Sequence, residues 1–198
     1  MPTTPWNHNT HYYPLATCHV RAGTRVLDVG SGDGLLTRVL LAAGAAEATG
    51  IDVDTAQTDR ARAQADDDGR LTYLTADALT APLDPRGYDL VTCFAALHHV
   101  DLDAGLARLR ALTAPGGYLV VVGLARVGSP LDAAWSLAAV PAARVAGSVR
   151  SYWEHGSPVA APRTTHAEVR DAARSHLPGV RWRRHLYWRY SLTWQAPA

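Results

Sequence analysis

The chain has 198 residues, 47% of them apolar, and a formal charge of +1 at neutral pH. That length and apolar content suit one domain, residues 1–198, around a sizeable core, and the near-zero charge argues against the broad basic footprint of an obligatory nucleic-acid binder. All 19 basic residues are arginine, which excludes lysine Schiff-base chemistry, and two cysteines, Cys18 and Cys93, make neither a disulfide framework nor a zinc cluster.

The first residues, Met1-Pro2-Thr3-Thr4-Pro5-Trp6, lack the basic and apolar blocks of a secretory signal, and no stretch is long and apolar enough to span a membrane. A soluble cytoplasmic protein is expected, with no membrane partner. Residues 1–23 form an aromatic and polar arm centred on Trp6-Asn7-His8-Asn9-Thr10-His11-Tyr12-Tyr13. His8 and His11 would share a face if this run were helical, so a metal pair, a cover over a site, or an arm laying its rings on the sheet edge all remain open. No third ligand stands nearby, and no metal is expected.

The arm leads into Val26-Leu27-Asp28-Val29-Gly30-Ser31-Gly32-Asp33-Gly34. An apolar run that stops at three glycines on alternate positions reads as a buried parallel strand ending in a cradle where a ligand approaches the main chain. Leu35 to Ala42 then carries a helical pattern, which aims the free amides of a helix N-terminus at that ligand. The dinucleotide fingerprint G-x-G-x-x-G would need glycine at position 35, where Leu35 stands.

Asp28-Val29-Gly30-Ser31-Gly32-Asp33-Gly34 resembles instead the D/E-x-G-x-G-x-G motif of class I S-adenosylmethionine-dependent methyltransferases. The resemblance implies that Gly30, Ser31, Gly32 and Gly34 surround the amino-acid part of S-adenosylmethionine, with Asp28 steadying the loop or reaching the amino group through water. It also implies that the arm covers cofactor and substrate, which makes Trp6, His8 and Tyr12 candidate substrate contacts.

Residues 45–52 read as a second strand ending in Asp52, which follows Gly34 by 18 residues. An acid about 20 residues beyond the cradle takes ribose hydroxyls in nucleotide-binding α/β folds, and a carboxylate has two acceptor oxygens for a diol. A plain helix cap is the other role open to Asp52, because residues 55–65 continue as a helix. By the resemblance, Val53 packs on adenine. Residues 71–76 alternate as a third strand into Asp77-Ala78, which match the family's acceptor for the adenine amino group and the amide for a ring nitrogen.

Tyr88-Asp89-Leu90-Val91-Thr92-Cys93-Phe94 reads as the fourth strand, with Ala95-Ala96-Leu97-His98-His99-Val100 behind it. This stretch resembles the small-molecule subgroup related to the ubiquinone and menaquinone biosynthesis methyltransferases, which places Cys93 and Phe94 beside the cofactor. A neutral imidazole there suits a general base, so His99, His98 and then His11 are the catalytic candidates, although a histidine here also serves to fix the loop. Neighbouring residues on a strand or helix face apart, so one of His98 and His99 at most is expected in the cleft.

Asp101 starts a helix with Leu106, Leu109 and Leu112 on its apolar face, and Pro115-Gly116-Gly117 turns into a fifth strand. Residues 126–162 form a variable, substrate-side segment. A helix over 132–140 ends at Pro141, and Trp135, Tyr152, Trp153, Glu154 and His155 are candidate pocket residues. Thr165-His166-Ala167-Glu168 opens a helix to His176, and residues 180–194 read as a terminal antiparallel hairpin with Arg181, Arg183, Arg184 and Arg189 on its wet face.

The expected fold is α/β, a Rossmann-like, doubly wound, seven-stranded sheet, mostly parallel with the hairpin at one edge. The family resemblance implies S-adenosylmethionine as cofactor, S-adenosylhomocysteine as product, and a methyl group moved to an O, N or C nucleophile of a small molecule. A non-methylating cyclisation or rearrangement, or cofactor binding without catalysis, are the alternatives.

Overall fold

In the computed structural model, residues 6–65, 68–149 and 161–198 are described, the side chains of Ala138 and residues 141–149 excepted. The arm makes a 3-10 turn (Thr10–Tyr12) and a short helix α1 (Pro14–Thr17). Then follow β1 (Arg25–Val29), α2 (Leu35–Ala42), β2 (Glu47–Asp52), α3 (Thr55–Ala63), β3 (Leu71–Thr75) and β4 (Tyr88–Phe94). A second 3-10 turn (Leu97–His99) leads to α4 (Leu102–Leu112), β5 (Thr113–Gly123), α5 (Pro130–Val149), α6 (His166–His176), β6 (Arg181–Arg184) and β7 (Tyr190–Gln195).

One sheet of order β3-β2-β1-β4-β5-β7-β6 runs through the molecule. β1 to β5 are parallel, and β7 lies antiparallel to both β5 and β6. The expected α/β architecture is therefore the one observed. Strand order reverses between β1 and β4, the place where an open α/β sheet parts its loops and leaves a crevice at the carboxyl ends.

Alternation along the central strands builds two cores. Val91, Cys93, Leu119 and Val121 face the layer of α4 and α6, where they pack with Leu106, Leu109, Val169 and Leu177. Leu90, Phe94, Val120 and Val122 face the opposite layer and pack with Leu36 and Leu40 of α2 and with Tyr12 and Ala16 of the arm. Both faces of β4 and β5 are covered, which is why their sequences are nearly continuous apolar runs.

Three local expectations change. Pro115-Gly116-Gly117 lies inside β5 as an irregularity, since the register jumps from Tyr88 opposite Thr113 to Leu90 opposite Tyr118. The helix at residue 130 runs on to Val149 through Pro141. A proline removes one hydrogen bond, and the alanine-rich sequence around it favours helix enough to continue. Leu186 to Arg189 form the loop of the hairpin, not strand, and the arginines divide: Arg181 and Arg183 are exposed, while Arg184 pairs with Asp132 of α5.

Candidate functional site

The glycine cradle has the conformation that its composition allows. Gly30, Gly32 and Gly34 have φ of 70°, 54° and 75°, in the left-handed region that side chains disfavour. A Cβ on Gly30 would run into the Ala96 methyl group, so the loop after β1 and the loop after β4 touch through the missing side chain. Gly34 serves differently. It is the N-cap of α2, a Cβ there would enter the Tyr73 ring, and it stands behind the cradle.

Asp52, at the end of β2, accepts a hydrogen bond from the Gly32 amide at 2.8 Å and one from the Asp54 amide at 2.9 Å. The helix cap is not Asp52 but Asp54, whose carboxylate accepts from the amides of Ala56 and Gln57. Asp52 is thus left to face the cradle. Asp77, beyond β3, accepts from the Leu79 amide at 2.9 Å.

Asp28 is 1% exposed, and its two oxygens accept from Thr37 at 2.8 Å and Thr92 at 2.7 Å. Burial pushes its carboxyl up to about 6, with the hydroxyls of Thr92 and Thr37 pulling down and the charge of Asp52 adding to the rise. Cys93 is pushed up to about 12 by burial and by Asp28, so it remains a thiol.

These groups line one cleft of about 480 Å³, within the range of small-ligand sites. Of the predicted cofactor contacts, Asp28, Gly30, Ser31, Gly32, Asp52, Val53, Asp77, Ala78, Cys93 and Phe94 are in its lining, and Gly34 is not. His98 and His99 both line it, their rings 4.2 Å apart, because a 3-10 turn and not a strand or helix carries them. Ala95, just before that turn, holds φ of 54° and donates its amide to Val122 at 2.7 Å.

Other candidates lie elsewhere. His11 is exposed and meets Tyr12 and Tyr187 edge-on. Trp6, His8 and Tyr12 gather around Tyr187 of the β6–β7 loop, with the His8 ring stacked on it at 5.0 Å. Trp135 is 45% exposed and donates to the His185 carbonyl at 3.4 Å. Tyr152, Trp153, Glu154 and His155 fall outside the described residues.

The lining also holds polar residues that the sequence did not mark as site candidates, Asn7, Asn9, Tyr13 and Arg189 among them. The polar positions of the W-N-H-N run were the signal for the first two. Arg189 sits in an alternating run that reads as strand, which hid it.

Among the described residues no three His, Cys, Asp or Glu cluster to hold a metal ion, and no helix is long and apolar enough to cross a membrane. The arrangement fits a ligand with a nucleoside. Three carboxylates at successive strand ends meet a cradle in which Gly30 and Gly32 carry no Cβ, and the Ser31 hydroxyl oxygen is buried without a partner among the described residues.

A family model described as a methyltransferase domain matches residues 26–117. An uncharacterized methyltransferase of Mycobacterium tuberculosis (strain ATCC 25618 / H37Rv) is 41% identical over 98% of each chain. A ubiquinone/menaquinone biosynthesis C-methyltransferase of Burkholderia cenocepacia is 34% identical over 63% of this chain and 53% of its own. Among solved structures, the [4+2]-cyclase SpnF superposes with a TM-score of 0.69 at 17% identity, covering 95% of this chain and 81% of its own, a likeness of fold.

Proposed function

The chain belongs to the class I S-adenosylmethionine-dependent methyltransferases, and on that premise we propose that it moves a methyl group to an O, N or C nucleophile of a small molecule. The observation that carries this reading is the convergence of Asp52, Asp77, Gly30 and Gly32 on one cleft, with two histidines in its lining. S-adenosylmethionine supplies the activated methyl group on its sulfonium sulfur.

The protein's own part is to hold, align and exclude water. Asp52, braced by the Gly32 amide, takes the ribose hydroxyls, and Asp77 with the Ala78 amide takes the adenine. Gly30 and Gly32 let the amino-acid end lie against the main chain, where Ser31 offers its hydroxyl and Asp28 a nearby negative charge. Val53 and Phe94 supply apolar walls.

His99 is the exposed member of the histidine pair and His98 the half-buried one. Either imidazole, when neutral, accepts the proton that an O–H or N–H nucleophile loses. His11, outside the lining, is set aside as a base. Trp6, His8 and Tyr12 act by holding the arm at the mouth of the cleft.

Incubation with S-adenosylmethionine and a panel of phenols, carboxylic acids and amines, followed by assay for S-adenosylhomocysteine, tests the reading. Turnover with at least one class is expected. Tight binding of S-adenosylhomocysteine with no turnover on any class counts against transfer and favours the non-methylating alternative. Thermal stabilisation by NAD and not by S-adenosylhomocysteine overturns the cofactor assignment itself.

A further inference from the structure

Charge divides the cleft in two. Asp28, Asp33, Asp52, Asp54 and Asp77 all stand on or beside the ends of β1, β2 and β3, whereas His98, His99 and Arg189 come from beyond β4. Arg108, the other cation in the lining, is turned to the backbone of the acidic half and donates to the carbonyls of Ala78 and Ala81.

Arg189 is held in place by its surroundings. Its Nε donates to Asn9 Oδ1 at 2.9 Å and its Nη1 to the Tyr187 carbonyl at 3.2 Å, which fixes the guanidinium at the cleft wall. Tyr187 and Trp188 just before it have φ of 59° and 57°. Bulky residues take this conformation only when neighbours impose it, and here the rings of Trp6, His8, His11 and Tyr12 pack around Tyr187.

Asn7, also in the lining, is 2% exposed. Its Oδ1 accepts from the amides of Asn9 and Thr10, each at 2.8 Å, which turns the side-chain NH2 the other way. That Nδ2 is buried with no partner among the described residues. A buried donor left unpaired costs about 1–3 kcal/mol, a cost that a ligand acceptor in the cleft removes.

We propose that Asn7 and Arg189 form an anion subsite that holds a carboxylate of the methyl acceptor. The guanidinium plane matches a carboxylate, and the Asn7 amide offers a further donor. The proposal rests on the methyltransferase reading. It assigns the anion to the acceptor because Arg189 comes from the loop before β7, whereas the acids assigned to ribose and adenine stand at the ends of β2 and β3 across the sheet order.

The test uses the full chain saturated with S-adenosylhomocysteine, titrated with acetate, benzoate and hexanoate, each against its primary amide. At least one acid is expected to bind about tenfold tighter than its amide, a difference typical of one charge-assisted bond. Asn7→Asp keeps the Oδ1 cap and replaces the donor by an acceptor, and Arg189→Met removes the charge. Both are expected to abolish the preference while changing S-adenosylhomocysteine affinity by less than about twofold.

No preference for any acid, or a preference that survives both substitutions, overturns the subsite. Weaker binding of S-adenosylhomocysteine in both variants, with 5′-methylthioadenosine unaffected, assigns the anion to the cofactor's own carboxylate and overturns the acceptor claim. Failure of the unsubstituted protein to bind S-adenosylhomocysteine at all removes the underlying reading, a result distinct from the other two.

Discussion

The Asp52 carboxylate is joined to the Gly32 amide at 2.8 Å, so the loop after β1 and the end of β2 act as one piece. One oxygen of the acid is tied to the cradle and the other to the Asp54 amide, which leaves its remaining lone pairs for a ligand. Asp52→Ala therefore loses both the brace and the acceptor. Two hydrogen bonds to a charged group at about 1.5–3 kcal/mol each predict S-adenosylhomocysteine binding at least 100-fold weaker, read by calorimetry. Asp52→Asn, which keeps one acceptor oxygen, should fall between; equal affinity in all three proteins would remove Asp52 from the site.

Gly30 and Ala96 are predicted to be coupled. Gly30→Ala puts a methyl group into that of Ala96 and a side chain at φ of 70°, which should destabilise by about 2–4 kcal/mol. Adding Ala96→Gly clears the collision but not the dihedral cost, so the double variant should recover part of the loss in urea denaturation. Simple additivity of the two single changes would show that the loops do not meet.

Asp28 sets a pH dependence whose sign follows from burial. Its carboxyl is raised from 3.8 to about 6, so the folded chain holds a proton that the unfolded chain has lost across that interval. Stability from this group is present below about pH 4 and lost as pH rises through about 6. Asp28→Asn should thus gain stability relative to the parent between pH 4.5 and 7.5, by up to roughly 3 kcal/mol for a shift of about two units. Denaturation midpoints at the two pH values measure it, and a gain that shrinks with rising pH would contradict the burial argument.

His8 gives the opposite slope. Burial, then Arg189 and His11, hold its pKa below the ordinary 6.5, so the neutral ring is the one stacked on Tyr187. As pH falls below 6.5 the unfolded arm takes up a proton more readily than the folded one, and the arm loosens. Faster amide exchange in residues 7–13 at pH 5 than at pH 7.5, corrected for intrinsic rates, is the expected result. His8→Gln should flatten that difference, and an unchanged profile would detach His8 from it.

The cradle, Asp52 and Asp77 are legible in the sequence because each depends on local chemistry: glycines after a β-run, and an acid where a strand ends. Asn7 and Arg189 are not, because 182 positions separate them and only the closure of the sheet brings arm and hairpin together. Alternation around Leu186 to Tyr190 looks like strand, yet Tyr187 and Trp188 turn left-handed under the packing of rings from the other end of the chain. The pairing of His98 with His99 in the lining escaped for a related reason, since the 3-10 turn follows from Ala95 leaving the strand with positive φ.

The bonds from Tyr12 to the Leu186 carbonyl and from Arg189 to Asn9 span 174 and 180 residues, close to the full length of the chain. Contacts of such separation carry a large loop-closure cost until the sheet between them has formed, which places them late in folding. A chain still emerging from the ribosome has β1 to β4 and the glycine cradle well before it has Arg189. The acidic half of the cleft, at the ends of β1, β2 and β3, is consequently complete first, and the wall that carries Arg189 is the last part of the protein to assemble.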